Sequence, residues 1–551
     1  MADTNNIEIT IKNNNQNNNK DSVTAPTSSS LASMTEAVET TMQTNTTTTH
    51  EQQQQQNPQQ PNTDENKQEI LTKLSPKVWQ AYEKLARERN ICSPYNLTCK
   101  PVSGVGENSY GLILQVSVRE ECNNNKSANG GNSTTEFDIT ETEAKQSNNH
   151  FITILKISPK NPAYRDHSHI PELYQREVFM YQQLFAEYQK LCEEEMQEKH
   201  EKTNDQYKFD IVPEILYACL DPFDEFIVCE DLSLSGYRQN VRTKMPTIDL
   251  AAATFRSIAK MHAMSFILQA KKPQVFQRLI AGFEDNLFNE NIDPITIEFG
   301  KKYIRKTRVM LEQDGRTSST KQVEALQKLE DNFKRISLQC VNGPKTAPYA
   351  VVCHGDFWNN NMLYKFDDHT NEAISAKLID FQLSRYASPV VDLMHYLCTS
   401  TDRDLRKKHF KELLDIYYET LTAHIEYYGL QMDQIYPREI FLQHLKEFGI
   451  FGFCMAAFSI PFFIANSNEL PDLDEVATAI RDISSSENSD EEEVKDAANE
   501  TNKQTNANRR KELLDEYDLL TERTLPIFKK RMCGLIKDLE EYEMLERVLK
   551  L

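Results

Sequence analysis

Two short stretches in the first half of the chain alternate apolar and mostly polar positions. They are residues 112–119 (LILQVSVR) and residues 151–157 (FITILKI). A period of two residues is typical of β-strands. Helical spacing follows over residues 171–194, and after the apolar run 226–229 helical patterns continue to the C-terminus. The pattern predicts an α+β protein with a small strand-rich part before a large helical part.

Three stretches are too poor in large apolar side chains to offset the entropy cost of ordering them. Residues 1–72 are rich in Asn, Gln and Thr, and we expect a disordered tail there. The low-complexity stretches 123–149 and 484–509 are predicted to be surface insertions, one in a strand-rich part (73–232) and one in a helical part (233–551). Disordered segments of this kind could recruit protein partners.

Composition narrows the class of protein. The 551 residues include 62 Lys and Arg against 83 Asp and Glu, a net charge of −21, which argues against a nucleic-acid binder. The eleven cysteines are scattered without a C-x-x-C pair, so neither a disulfide framework nor a zinc site is indicated. Residues 1–30 contain no apolar signal segment, and we expect a reducing, cytoplasmic location.

Residues 448–465 (FGIFGFCMAAFSIPFFIA) form an uncharged stretch about long enough to be considered for a membrane span. The stretch is interrupted by Gly449, Gly452 and Pro461. Buried helices of large domains can be apolar on every face. We therefore expect a core helix here and no membrane span.

The strongest chemical signal comes from two apolar runs that each lead into an aspartate. Residues 351–364 read VVCHGDFWNNNMLY and residues 376–382 read AKLIDFQ. Phosphoryl transfer needs one carboxylate to orient the attacking hydroxyl, and a second carboxylate with an amide oxygen to hold Mg²⁺. Asp356 suits the first role, and Asn361 and Asp380 suit the second. Each residue alone could simply cap a turn, but the joint pattern favours chemistry.

The motifs HGDFWNNN (354–361) and IDFQ (379–382) resemble those of the ecdysteroid-kinase-like group of small-molecule kinases, which is related to choline kinases and aminoglycoside phosphotransferases. The resemblance covers about residues 76–545 without the insertions. It implies a two-lobed protein-kinase-like fold, ATP and Mg²⁺ as cofactors, and a small alcohol as acceptor. Protein kinases would have a Gly after the Asp-Phe pair and an A-P-E segment, and this sequence has neither.

The resemblance also implies groups that hold the nucleotide. Gly104 and Gly106 precede the first alternating strand, where glycines would let backbone N–H groups approach phosphates. Ser109 stands where the third Gly of a G-x-G-x-x-G loop would be, so a plain hairpin turn is an equal alternative. Backbone groups of Glu230 and Leu232, after the strand 226–229, are expected to meet the adenine.

Lys156 lies in an otherwise apolar strand, where a desolvated ammonium needs anionic partners. Glu177 is the better candidate partner because it shares a helical stripe with apolar residues, whereas Glu172 does not. An edge-strand lysine facing water is the alternative. His262 has apolar neighbours on its helical face and is expected to be a core histidine, while His354 is expected to brace the catalytic loop (residues 354–361). The resemblance implies the same role for Asp392, with a favourable charge at a helix N-terminus as the alternative.

The sequence therefore predicts an ATP- and Mg²⁺-dependent kinase acting on a small alcohol. The resemblance implies an ecdysteroid-like steroid as the acceptor. Trp358 and the aromatic stretch 448–464, which has no charge, lean the same way, toward an apolar acceptor. A choline- or ethanolamine-type kinase would instead need an aromatic and acidic cage. A catalytically silent kinase fold that acts as a binding protein is the alternative from another class.

Overall fold

The computed structural model describes residues 11–12, 74–92, 94–102, 110–120, 150–200, 205–241, 243–314, 319–491 and 508–551. Gly104 and Gly106 lie outside the described residues, as do nearly all of the tail 1–72, the insertion 123–149 and residues 492–507 of the second insertion. The chain divides into two compact units, Met1–Thr98 with Val118–His150, and Cys99–Ser117 with Phe151–Leu551.

The first unit contains strand β1 (Ile11–Lys12), helix α1 (Pro76–Glu88) and the start of strand β2 (Tyr95–Pro101). The buried side chains of α1 recur every three or four residues, which is the spacing of an amphipathic helix. Proline in the first turn suits the helix start, because its missing N–H would have no intrahelical partner. Strand β1 pairs antiparallel with β2, with Ile11 opposite Leu97.

A sheet occupies the N-terminal part of the second unit. Its strands are the end of β2, most of β3 (Leu112–Glu120), β4 (His150–Ile157), β5 (Ile215–Cys219) and β6 (Phe226–Glu230), in the order β2-β3-β4-β6-β5. Buried and partly exposed positions alternate along β3 and β4. The period of two residues seen in the sequence is therefore confirmed as strand structure.

Helices make up most of the second unit, which confirms the predicted mixed class with a larger helical part. The helical stretch over residues 170–198 confirms the predicted helix at 171–194 and contains a π-helical turn at Met180–Leu184. The helices are α2 (Pro162–His167), α3 (Ile170–Phe179), α4 (Phe185–Glu198), α5 (Ile248–Lys271), α6 (Pro273–Ile280), α7 (Pro294–Asp314), α8 (Thr320–Asp331), α9 (Phe333–Cys340), α10 (Gly343–Thr346), α11 (Val390–Ser400), α12 (Arg403–Tyr427), α13 (Met432–Ile435), α14 (Arg438–Phe448), α15 (Ile450–Ile464), α16 (Leu473–Glu491), α17 (508–516), α18 (Thr524–Glu541) and α19 (Glu546–Leu549).

Short strands between the helices place the two aspartate motifs side by side. Strand β7 (Arg238–Gln239) pairs with β9 (Met362–Phe366), which pairs antiparallel with β10 (Ala373–Leu378). Strand β8 (Val351–Cys353) pairs with β11 (Arg385–Ala387). The loop 354–361 therefore connects β8 to β9, and Asp380 follows β10 directly. The Ile379 N–H donates to the Asn361 carbonyl at 3.0 Å, so the two motifs touch.

The apolar stretch 448–465 forms helix α15, whose side chains are mostly buried against neighbouring helices. This confirms the predicted core helix. In the described part of the chain, no single helix is long and apolar enough to cross a membrane. Helices α14 and α15 together meet the length and composition criteria, with a bend of 47° between them.

Candidate active site

Lys156 on β4 has two acidic partners. Its Nζ lies 2.7 Å from Glu177 Oε2 on α3 and 2.8 Å from Asp380 Oδ1. Burial acts to lower the pKa of Lys156, but the charges of Asp380 and Glu177 outweigh it, so the pKa is raised and the side chain stays an ammonium. A third contact, at 3.1 Å, goes to Gln382 Oε1. The geometry explains the charge in an apolar strand, and the expectation that Lys156 is an exposed edge residue is excluded.

Glu177 is the acidic residue of α3 that faces inward, being 4% exposed. Glu172 on the same helix is exposed, as its stripe position predicted. The choice between the two glutamates therefore followed from helical spacing alone.

Asp356 lies in the loop 354–361 and is held by neighbouring side chains. Its Oδ2 accepts from Asn361 Nδ2 at 2.8 Å and from Trp358 Nε1 at 3.2 Å. Burial raises the pKa of the Asp356 carboxyl, and the charge of Asp380 adds to the shift, to about 7. A carboxyl with a pKa near neutrality is suited to accept a proton from a hydroxyl.

Asn361 and Asp380 have the ligand chemistry that Mg²⁺ prefers, an amide oxygen and a carboxylate. The Asn361 Nδ2 donates to both the carbonyl and the carboxylate of Asp356, so its Oδ1 is the atom left for a metal. Asp380 adopts a left-handed backbone conformation, with φ of +69°. A non-glycine residue in this conformation costs free energy, and such positions cluster at functional sites. The donor set therefore fits a magnesium ion.

Asp392, near the start of α11, holds the catalytic loop in place through hydrogen bonds. Its carboxylate accepts from the backbone N–H of His354 at 2.6 Å and of Gly355 at 3.0 Å. His262 Nε2 donates to the same carboxylate at 3.2 Å, and His262 Nδ1 lies 2.9 Å from the Tyr417 hydroxyl. His262 is thus a buried core histidine, and Asp392 braces the loop, as expected. His354 has the expected structural role too, because its Nε2 lies 3.0 Å from the Ile379 carbonyl.

His262, Cys353 and Asp392 also have potential metal-ligand atoms within 4.8 Å of one another. The hydrogen bonds of His262 and Asp392 to protein groups occupy the atoms that would bind an ion. We therefore interpret this cluster as a support for the catalytic loop.

Glu230 and Leu232 lie next to the Lys156 strand. Glu230 is opposite Thr153 of β4, three residues from Lys156, which is about 10 Å along the strand. Leu232 begins a short 3₁₀ turn, and its carbonyl accepts from the Tyr237 N–H at 3.1 Å. The expected contact of these two residues with adenine stays a prediction.

A cavity of about 370 Å³ opens onto Asp356 and Trp358. Its walls are mainly apolar, and the Trp358 ring stacks on Phe463 with 3.6 Å between ring centroids. The apolar part of the wall consists of Leu173, Leu287, Ile292, Ile295, Phe299, Leu383, Met455, Phe458, Phe462, Phe463, Leu473, Val476, Ala477, Ile480, Leu513, Leu514 and Leu519. The volume lies in the range of pockets for drug-sized ligands, roughly 300–1,000 Å³.

Sequence reasoning missed most of this cavity. Its lining comes from many separated stretches of the second unit, between residues 110 and 519, which no local motif connects. It also missed Gln382 as a partner of Lys156, although this residue belongs to the IDFQ motif. Trp358 and the aromatic content of residues 448–464 were the signals that pointed toward the cavity.

An ammonium, two carboxylates and an amide thus meet near a cavity of the second unit, a constellation suited to phosphoryl transfer. The ecdysteroid kinase-like family model matches residues 133–430, more than half of the chain. The chain therefore belongs to the ecdysteroid kinase-like family, and this membership supports a small-molecule kinase. A sequence comparison with curated proteins finds no match.

Solved structures similar to this chain include two kinases of small alcohols. An ethanolamine kinase from Plasmodium vivax is 12% identical with a TM-score of 0.33, and the match covers 75% of this chain and 92% of that one. A choline kinase from Cryptosporidium parvum is 12% identical with a TM-score of 0.33, and the match covers 76% of this chain and 90% of that one.

Proposed function

We propose that this protein transfers the γ-phosphoryl group of ATP to a hydroxyl of a small, largely apolar alcohol, of which an ecdysteroid-like steroid is the best candidate. The observation that carries the proposal is the position of Asp356, which shares Asn361 with the predicted metal site and also lines the apolar cavity. A cytoplasmic location is part of the proposal, and the scattered cysteines without a C-x-x-C pair support it.

Each residue of the proposed active site has a separate role in the reaction. Asp356 accepts a hydrogen bond from the acceptor hydroxyl and takes its proton as the bond to phosphorus forms. Lys156, held by Glu177, binds the nucleotide phosphates. Asn361 Oδ1 and the Asp380 carboxylate would hold Mg²⁺, which neutralises charge on the phosphates when it is bound. Catalysis is then mainly orientation and charge stabilisation.

Nucleotide binding also requires the Lys156 contacts to be rearranged. In the structure Lys156 pairs with Asp380 itself. If Asp380 held the metal, its carboxylate would have another positive partner, and the Lys156 ammonium could then donate to phosphate oxygens. Glu177 keeps its position on α3 and orients the lysine in both arrangements.

The walls of the cavity support an apolar acceptor. Beside Asp356, the acidic side chain in the lining is Asp293, and the carboxylate of Asp293 already pairs with His167 at 3.5 Å. A polycationic aminosugar would need more acidic groups than this. Rings of Phe299, Phe458 and Phe462 instead offer broad surfaces on which a fused ring system can lie.

A choline- or ethanolamine-type kinase is the second candidate. The stacked pair Trp358 and Phe463 beside Asp356 is the observation that favours it, because aromatic faces attract quaternary ammonium groups. The two candidates predict different acceptors in the same assay.

The test is transfer of labelled γ-phosphate from Mg·ATP to ecdysone, choline, ethanolamine and kanamycin, with products read by mass spectrometry. We expect a phosphorylated steroid, and a loss of about 10²–10⁴ in kcat for Asp356→Asn. Asp367→Asn is the matched control, because Asp367 caps an exposed hairpin turn. Phosphocholine as the main product would favour the second candidate. No phosphorylated product from any acceptor, with Mg·ATP bound, would indicate a silent kinase fold.

A further inference from the structure

Arg385 is a buried arginine that none of the proposed catalytic steps uses. It is 0% exposed and stands on β11, opposite Cys353 of β8. Its Nε lies 3.1 Å from Asp285 Oδ2, and its Nη2 donates to the Gly355 carbonyl at 3.2 Å. Burying such a pair costs several kcal/mol of desolvation in general, so its stability contribution alone is a weak reason for it.

The Arg385 contact fixes the peptide that precedes the proposed base. Asp392 holds the N–H of Gly355 and Arg385 holds its carbonyl, so Gly355 is bound on both sides. Gly355 also lies against the backbone of Leu383, where an added Cβ would meet the carbonyl oxygen at 1.7 Å. Arg385 and Asp392 together therefore fix the orientation of the peptide that precedes Asp356, and with it the position of Asp356.

Asp285 is the first residue of a loop that lines the cavity. We call residues 285–293, between α6 and α7, the acceptor loop, since six of them line the cavity. The second carboxylate oxygen of Asp285 accepts from the N–H groups of Leu287 at 2.8 Å and Phe288 at 2.7 Å. The next residue, Asn286, donates to the Gln382 carbonyl at 3.2 Å. Asp285 thus shapes the acceptor loop and ties it to Arg385.

We propose that Arg385 and Asp285 are positioning residues that hold the acceptor loop at a fixed distance and orientation relative to Asp356. One guanidinium contacts both Asp285, at the start of the loop that lines the cavity, and the peptide that precedes the proposed base. A shift of about 1 Å between reacting groups can cost about a hundredfold in rate, so such a link has catalytic value. The proposal rests on the proposed function, because it assigns the cavity to the acceptor.

The test compares Arg385→Lys and Asp285→Asn with wild type in phosphate transfer from Mg·ATP to ecdysone. Lys keeps the charge but cannot contact both groups as the planar guanidinium does. Asn keeps an oxygen for the Leu287 and Phe288 N–H groups, so this variant is the one expected to fold if Arg385→Lys does not. Arg165→Lys is the control, because Arg165 forms an equally buried pair with Glu225 outside the cavity lining.

We expect both variants to lose about tenfold or more in kcat, with the Kd for Mg·ATP within about twofold of wild type. The double variant should lose no more than the worse single variant, since both substitutions break one link. Arg165→Lys should lower the unfolding temperature with kcat unchanged. A kcat within about twofold of wild type in folded Asp285→Asn, or losses that multiply in the double variant, would overturn the proposal.

Hydrogen exchange separates this proposal from the proposed function. If wild type phosphorylates no alcohol, the proposed function fails while the link between the loops can still be measured. Asp285→Asn should then lower amide protection both in the acceptor loop and at residues 354–356, and Arg165→Lys should leave both unchanged. Unchanged protection at 354–356 in Asp285→Asn would refute the link.

Discussion

Lys156 Nζ lies 2.8 Å from Asp380 Oδ1, so a lysine of the sheet is paired with a proposed metal ligand that follows β10. Glu177 contacts the same ammonium from α3. Lys156 thus has two carboxylate partners. Glu177 would remain its partner with nucleotide bound, whereas Asp380 would bind the metal. We therefore expect Glu177 to keep Lys156 in place when nucleotide binds.

Replacing Glu177 with Gln should weaken Mg·ATP binding by about tenfold, because a hydrogen bond to a charged group contributes about 1.5–3 kcal/mol and Lys156 loses its fixed partner. Calorimetric titration of Mg·ATP measures the effect. Glu172→Gln on the same helix is the control and should leave the affinity unchanged, since Glu172 is exposed. Equal effects of the two substitutions would contradict the role given to Glu177.

Filling the cavity should block the acceptor and spare the nucleotide. Val476 of α16 lines the cavity and is only partly buried, so Val476→Trp is expected to fold with the indole in the cavity. We expect the acceptor KM to rise by about tenfold or more, which corresponds to a loss of roughly 1.4 kcal/mol or more in acceptor binding. The Kd for Mg·ATP should be unchanged. Val309→Trp, at an exposed position, controls for the added ring. An unchanged acceptor KM would place the acceptor elsewhere.

Gly355→Ala should unfold or inactivate the protein. Its φ is +87°, which costs about 1–2 kcal/mol for a residue with a Cβ, and the Cβ would also overlap the Leu383 carbonyl. Gly429 is a close control, because its φ is +74° and nothing lies within 4 Å of an added Cβ. Urea unfolding should show a loss near 1–2 kcal/mol for Gly429→Ala and a larger loss for Gly355→Ala. Similar losses would mean that the loop can move away.

Stability should fall in mild acid because buried histidines resist protonation. Burial lowers the pKa of His444 to about 4, against an ordinary value of 6.5. Between these pH values the unfolded chain binds a proton that the folded chain does not, so stability is complete above pH 6.5 and is lost as pH falls toward 4. Each such group changes the unfolding free energy by about 1.4 kcal/mol per pH unit in that window.

The measurement is urea unfolding at pH 7.5 and pH 5.5 for wild type and His444→Gln. We expect the loss between the two pH values to be smaller by about 1 kcal/mol in the variant. His409→Gln is the control, since His409 is partly exposed beside Glu412. If His444→Gln and wild type lose the same stability, His444 is not a source of the acid sensitivity.

The parts of the site that sequence predicted are those with a local signature. A lysine in an apolar strand, a glutamate on a buried helical stripe and two aspartates after apolar runs could each be recognised within a few residues. The strands and the core helix α15 followed from periodicity in the same way. These predictions needed no knowledge of which elements touch.

The missed parts depend on contacts between distant segments. Asp285 and Arg385 are 100 residues apart, and nothing near Asp285 in the sequence marks it as a partner of the catalytic loop. The cavity wall is likewise assembled by tertiary packing. The metal, hinge and phosphate-loop roles stay predictions, and Gly104 and Gly106 lie outside the described residues.

The outer cavity wall from α15, α16 and residues 513–519 comes after residue 430, where the family match ends, whereas Lys156, Asp356 and Asp380 all precede it. In the proposed function, the reacting groups and part of the acceptor site are thus encoded in successive portions of the chain. Substitutions in the later portion could change the acceptor alcohol during evolution while the phosphate-binding residues stay the same. Enzyme engineers could use the same separation to retarget the protein.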